Sequence, residues 1–285
     1  MAYVEVDAGP IDYVDTGGDG PPIVLLHGVP MTPQTQWAHV LPHLRGHRVV
    51  MPTLPMGGHR RPMRPGTDLS QFGMAAILGQ FLEAAALDEV VLVLNDWGGG
   101  QFLLTERLPG HERVGALALV ACEAFDNFPP APARALAAVA KVPGGIWLTV
   151  QAMRLRPVRQ ARSGYGGMSR RGIPDDVLRE WFAPARADAA IRRDFAAFAA
   201  GAPSSAVLLA AAARLAEVDL PTLVVWAAHD TMMPLAHGQR LADLLPRARL
   251  VVAGESATLV PFDEPELLAG LLIDLTNAVR HSGHR

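Results

Sequence analysis

The sequence predicts an α/β fold: a mostly parallel central sheet flanked by helices, with a helical cap inserted once into the chain. Three observations carry that prediction. Short, continuously apolar runs bounded by turn residues recur along the chain, as strands buried on both faces do. Segments with apolar residues at helical spacing separate them, so the strands are joined by crossovers and run parallel. Between residues 125 and 203 the texture changes to prolines, arginines and two Gly-Gly pairs without a buried strand, after which strand–helix alternation resumes.

The elements follow in order. Residues 3–7 and 11–16 read as two strands around the turn Ala8-Gly9-Pro10. "PPIVLLHG" (21–28) reads as a short buried strand, 34–45 as a helix and "HRVVMP" (47–52) as another strand. Residues 69–87 carry apolar side chains at helical spacing, with Asp68 or Ser70 as the N-cap. A strand at 89–95, a glycine-rich turn, a helix to about 109 and a strand at 114–121 come next. Beyond the cap, the pattern predicts a helix over 204–217, a strand over 221–227, a helix over 236–245, a strand over 248–253 and a helix over 264–280. Residues 1–124 and 204–285 would then form the core, and 125–203 the cap over the carboxyl edge of the sheet, where α/β ligands bind.

Composition narrows the classes of function. A net charge of −3 and a pI near 6.4 give no field that points to nucleic acid or an anionic membrane. Cys122 is the single cysteine, so no internal disulfide forms, and a reducing, cytoplasmic setting is expected. "MAYVEVDAGP" lacks a secretory pattern, and the most apolar run, 205–216, is broken by Arg214. The histidines do not cluster at ligand spacing and no dinucleotide fingerprint occurs, so neither metal nor cofactor is expected. The expected partner is a small-molecule substrate, and the oligomeric state is not written in the sequence.

Three motifs mark one edge of the sheet. In "LNDWGGG", Asp96 ends an apolar strand and three glycines precede a helix. A strand–tight turn–helix of this kind projects one side chain above the sheet, and the helix N-terminus favours a negative charge there. In "HGVP", the turn at His27-Gly28 aims the Val29 N–H at the same place, and with the Trp97 N–H it would form a two-donor oxyanion pocket. In "WAAHDTMMP", Asp230 follows a third strand and suits the acid that orients a base.

With "DEPELLAGLL" after them, these motifs resemble the α/β-hydrolase superfamily over essentially the whole chain. Asp rather than Ser at the elbow, followed by Trp and Gly, resembles its haloalkane dehalogenase and epoxide hydrolase branch. The resemblance implies that Asp96 attacks an sp³ carbon and forms an alkyl-enzyme ester, which a His-activated water then hydrolyses. A carboxylate is ordinarily ionised at neutral pH, so the attack itself needs no base.

One part of the family pattern is missing. The resemblance implies a His seven residues before Pro265, and Thr258 stands there. No histidine lies between His237 and His281, and His281 and His284 are expected beyond the last helix. Glu255, Asp230, His229 or a water chain are the substitutes the sequence offers. Three readings follow: a hydrolase with an impaired or unusual second step, a small-molecule-binding pseudo-hydrolase, or a non-hydrolytic cyclase- or lyase-like enzyme using Asp96 as acid or base.

The leaving group is also open. Epoxide hydrolases of this type use two cap tyrosines, whereas only Tyr165 of the three tyrosines falls in the cap. Dehalogenases use indole N–H donors, for which the resemblance offers Trp97 together with Trp147 or Trp181. Leu94, two residues before Asp96, also leans toward halide. The cap is arginine-rich, which reads as a solvated face, and His59 in "LPMGGHRRPMRP" reads as a loop residue.

Overall fold

The computed structural model describes residues 2–282. Eight strands form one sheet: β1 (Ala2–Val6), β2 (Gly9–Asp15), β3 (Ile23–Leu25), β4 (Val49–Pro52), β5 (Val90–Asp96), β6 (Val114–Cys122), β7 (Thr222–Ala227) and β8 (Ala248–Ala253). Their spatial order is β1-β2-β4-β3-β5-β6-β7-β8. β2 is antiparallel to both its neighbours, and every pair from β4 to β8 is parallel. From the β3/β5 boundary the chain winds outward in both directions. Such a switch point leaves a crevice at the carboxyl ends of the strands.

The strands are apolar because both faces are covered. Along β5, Val90, Leu92 and Leu94 pack on one face, while Val91 and Val93 pack on the other. The first face is covered by the helices Gln71–Ala84, Ser205–Ala213 and Leu235–Leu244. The second is covered by the segment around Trp37 and Leu44 and by the helix Pro265–Ser282. Each fully buried Leu or Val contributes roughly 1.5–3 kcal/mol. Ser70 caps the helix Gln71–Ala84, its Oγ accepting the Gly73 N–H at 3.2 Å, while Asp68 accepts the N–H of Ser70 itself.

Two expected helices are broken. The 34–45 segment splits into a turn of helix at Pro33–Gln36 and a 3₁₀ turn at Leu41–Leu44, because Pro42 cannot donate to a continuing ladder. The helix expected to reach 109 ends at Thr105, where the chain turns left-handed at Arg107 (φ 49°) ahead of Pro109. The last helix runs longer than expected, to Ser282, and so takes in the backbone of His281; His284 lies outside the described residues.

Between β6 and β7 the chain forms only helices and loops, with Ala131–Ala140, Gly145–Ala152, Asp175–Trp181 and Ala189–Ala200 the longest. Val150, Leu178, Trp181, Ile191 and Phe195 cluster there with Met31, Leu259 and Phe262 from the sheet edge. Two buried carboxylates tie this layer down. Asp194 accepts the Met63 N–H at 2.8 Å and meets His59 Nε2 at 3.2 Å. Asp263 accepts from Ser169 Oγ, the N–H groups of Arg170 and Arg171, and the Ala257 N–H. Among the described residues, no single helix is long and apolar enough to cross a membrane.

Candidate active site

Asp96 occupies the last position of β5, where the register against β6 shifts between Asn95 and Asp96. Its φ is 66°, a left-handed conformation for a residue with a side chain, and the Trp97 N–H closes a three-residue turn onto the Asn95 carbonyl at 2.9 Å. Such a conformation costs of order 1–3 kcal/mol and persists only where the surroundings impose it. Here a buried network imposes it. Gly28 N–H donates to Gln36 Oε1, Gln36 Nε2 donates to Asn95 Oδ1, and Asn95 Nδ2 donates to the carbonyls of Val120 and Thr258, all at 2.8–2.9 Å. Two glycines are required by close approach. A Cβ on Gly28 would meet Asp96 Oδ2 at 2.2 Å, and one on Gly98 would meet the Glu123 carbonyl at 1.9 Å.

A cavity of about 190 Å³ opens above Asp96. One water needs roughly 10–15 Å³, so there is room for a small organic molecule. Val29, Gln71, Asp96 and Glu123 are lining residues from the sheet edge and its flanking segments. Leu136, Met153, Tyr165, Phe182 and Phe195 line it from the intervening helices. Among the described residues that line it there is no Lys, Arg or His. A buried carboxyl in such walls resists ionisation. Burial pushes Asp96 up to about 7, with the charge on Asp230 adding to it and the Val29 N–H opposing.

The sequence-derived residues divide sharply. The Val29 N–H, expected to face an oxyanion, donates to Asp96 Oδ2 at 3.1 Å. Tyr165 lines the cavity, but its hydroxyl donates to the Val29 carbonyl at 2.8 Å. Trp97 offers neither donor freely, since its backbone N–H goes to Asn95 and its indole Nε1 donates to Gln71 Oε1 at 2.7 Å. The two-donor oxyanion pocket is therefore not open. His27, expected in the pocket, does not line it: it is fully buried, bonded to the Gly28 carbonyl and the Leu54 N–H, and burial lowers its pKa to about 4.

Asp230 and Thr258 meet each other rather than the cavity. Thr258 Oγ1 donates to Asp230 Oδ1 at 2.8 Å, and the N–H groups of Met232 and Met233 donate to the same oxygen. Asp230 Oδ2 is buried without a hydrogen-bond partner among the described residues. Burial raises the pKa of Asp230 against those three donors.

Four further expectations are corrected. Trp147 is 49% exposed on the outer face of the helical layer, so it borders no site with Asp96. Trp181 is fully buried, but within the helical layer, where its Nε1 donates to Thr35 Oγ1 at 2.7 Å. Glu255 is exposed and paired with Arg170 at 2.6 Å, away from the cavity. His229 is exposed and does not line it. In each case one residue's position within its own segment decided the outcome, which motif spacing does not carry.

Two residues that matter escaped the sequence reading. Glu123 follows β6 directly, lines the cavity, and carries an Oε2 that is buried without a hydrogen-bond partner among the described residues. Burial, and then the charge on Asp96, hold it well above the usual carboxylate range. The signal was present, since an acid at the end of an apolar strand is what singled out Asp96. Gln71 reaches the cavity from the first turn of its helix, and only tertiary packing reveals it. Among the described residues no three His, Cys, Asp or Glu side chains are placed to hold a metal ion.

Comparison with known proteins agrees with this architecture. Residues 21–265 match the family model described as alpha/beta hydrolase fold. The chain is similar to haloalkane dehalogenase 2 of Mycobacterium tuberculosis, with 28% identity over 280 residues covering 95% of this chain and 93% of that protein. It is 34% identical over 112 residues to a haloalkane dehalogenase of Mesorhizobium japonicum, a match spanning 39% of this chain and 35% of that protein. Among solved structures, an alpha/beta hydrolase fold protein from Burkholderia ambifaria superposes with a TM-score of 0.76 at 25% identity, covering 96% of this chain and 97% of the other. A loop variant of a haloalkane dehalogenase from Bradyrhizobium elkanii superposes with a TM-score of 0.73 at 18% identity, covering 96% and 95%, which speaks for the fold alone.

Proposed function

Since the chain belongs to the α/β hydrolase fold family, we propose from that premise that it is a hydrolase-type enzyme in which Asp96 attacks an sp³ carbon of a small apolar molecule. The product of the attack is an ester on Asp96, closed beneath a cap formed by residues 125–203 on a core of 1–124 and 204–285. The observation that carries this reading is the placement of Asp96: a strained elbow aims its carboxyl into an apolar cavity, and the Val29 N–H holds Oδ2 at 3.1 Å. Orientation of this kind is a large part of what an enzyme contributes to a displacement. The similarity to haloalkane dehalogenases supports the same chemistry.

The second half-reaction is unusual, because Thr258 closes onto Asp230 where the family's base would stand. The raised carboxyls of Asp96 and Glu123 favour a second reading, in which Asp96 serves as acid or base in a non-hydrolytic step. Intact mass and peptide mapping after incubation with 1-bromohexane and with styrene oxide separate the two. Alkylation predicts an ester located at Asp96, absent from Asp96→Asn. Binding of both compounds without ester or hydrolysis product would exclude it and leave acid–base chemistry or simple binding.

A further inference from the structure

Charge and apolar exposure are both concentrated in one stretch of the helical layer. Between Asp126 and Asp175 the chain has eight Lys or Arg and no Asp or Glu, within a sequence whose net charge is −3. The overall balance conceals this separation. Arg159 and Arg170 are paired with Asp175 and Glu255. The other six, from Arg134 to Arg171, are exposed and form no ion pair among the described residues. The same stretch holds six of the twelve exposed large apolar side chains among the described residues: Val139, Val142, Trp147, Leu148, Leu155 and Val158. The two kinds alternate, as in Lys141-Val142 and Arg154-Leu155-Arg156.

The apolar side chains form a stripe. Leu148 and Ala152 stand four residues apart on the helix Gly145–Ala152 and so share a face. The Leu155 N–H donates to the Ala152 carbonyl at 2.9 Å, and the Val158 N–H donates to the Leu155 carbonyl at 3.0 Å, which carries the stripe into the next turn. Leu148 and Leu155 are 62% and 60% exposed. The other side of the helix is engaged: Ile146 and Val150 are buried in the helical layer, and Thr149 and Met153 line the cavity. Val158 is exposed and also lines the cavity, so the stripe and the cavity share a rim. Arg159 fixes this shape. Its guanidinium pairs with Asp175 and donates to the carbonyls of Met153 and Arg154, which holds the turn that presents Leu155. A contiguous apolar patch of this kind marks an interaction site, and unpaired cations beside it repel one another until an anion covers them.

We propose that this face docks on a membrane surface that carries anionic lipid. Trp147, Leu148 and Leu155 seat among the upper acyl chains, while Lys141, Arg154 and Arg156 lay their stems along the apolar side chains and reach the phosphate headgroups. The chemistry of the patch favours that occupant over two others. A second copy docked on the same face would bring one cationic rim against another, because a two-fold contact uses the same surface on both sides. A single-stranded nucleic acid would satisfy the cations, but stacking bases need aromatic side chains. Trp147 is the one aromatic among the six exposed apolar residues, and Leu148 and Leu155 would stay in water. An anionic bilayer covers the apolar atoms and neutralises the cations together. The docking does not depend on the reaction at Asp96.

The protein carries its own probe. Trp37, Trp97, Trp181 and Trp226 are fully buried, and Trp147 alone of the five tryptophans is exposed. The full chain is mixed with vesicles of equal parts phosphatidylglycerol and phosphatidylcholine, and with vesicles of phosphatidylcholine alone. Co-sedimentation with the anionic vesicles is expected, with a blue shift of tryptophan emission and protection from acrylamide quenching. Both changes should be absent from Trp147→Phe, and high salt should release the protein. Arg154→Gln combined with Arg156→Gln should weaken binding about 30-fold, at about fivefold for each cation near an anionic surface. Leu148→Ser combined with Leu155→Ser should weaken binding to both kinds of vesicle, and thermal unfolding shows that each variant is folded. No co-sedimentation of the wild-type protein overturns the proposal. So does equal binding to the neutral vesicles, or binding that leaves Trp147 open to acrylamide. A doubled mass in solution, with Trp147 already protected before lipid is added, would show that a second copy covers the face instead.

Discussion

Two stretches of the sheet edge, one at the ends of β5 and β6 and the other at the ends of β7 and β8, are organised differently. At the first, Asp96 ends β5 and Glu123 follows β6, both line a cavity, and burial raises the pKa of both. Backbone strain and two glycines that admit nothing larger hold that region in place. At the second, Asp230 and Thr258 form a hydrogen-bonded pair that does not line the cavity. The difference separates a region organised at a cost to stability from one organised to be stable. Functional groups are found where local rules are broken, and the Thr258–Asp230 pair obeys more of them, although Asp230 has an unpartnered Oδ2 and is likewise raised by burial.

Replacement at the first edge should therefore remove chemistry and add stability. Asp96→Asn should abolish ester formation. It should also stabilise the fold in a pH-dependent way, because the folded-state pKa of Asp96 is raised from 3.8 to about 7. Below the unfolded value both states hold the proton and ionisation costs nothing. Between the two values the penalty grows, and above about 7 it is complete, amounting to about 4 kcal/mol at 1.36 kcal/mol per pKa unit. Denaturant titrations of wild type and Asp96→Asn should nearly coincide near pH 4 and separate by that order at pH 8. The rate of esterification should in turn rise about tenfold per pH unit up to about 7 and then level off, as the ionised fraction of Asp96 does. A gap in stability that is the same at both pH values would show that Asp96 ionises freely in the folded protein.

Replacement at the second edge should do the reverse. Thr258→Val keeps the shape and removes one donor from Asp230 Oδ1, which retains the N–H groups of Met232 and Met233. The expected cost is about 1–3 kcal/mol of stability, with esterification of Asp96 little changed. Loss of esterification with stability intact would place Thr258 in the chemistry and dissolve the contrast.

Much of this was legible in the residues. The parallel sheet followed from apolar runs buried on both faces, and Asp96 followed from strand, glycines and helix in sequence. Those signals are local, and the structure agrees with them. The segment 34–45 and the helix expected to reach about 109 misled because Pro42 and Pro109 interrupt ladders that apolar spacing alone would continue. Trp147 and Trp181 misled for another reason. Whether Trp147 or Trp181 faces a cavity depends on how several short helices pack, and one is half exposed while the other is sealed against Thr35. Glu123 was overlooked although it bears the same signature as Asp96 one strand away. Glu255, the acid that the sequence places near the missing histidine, instead pairs with Arg170 in solvent.

The nucleophilic role of Asp96 is tested most directly by a single turnover of styrene oxide with enzyme in excess, in water enriched in the heavy oxygen isotope. If water attacks an Asp96 ester, the peptide carrying Asp96 gains the heavy oxygen and the diol from that first turnover does not. An unlabelled Asp96 together with a labelled diol would mean that water attacked the substrate itself, and would contradict a covalent route through Asp96.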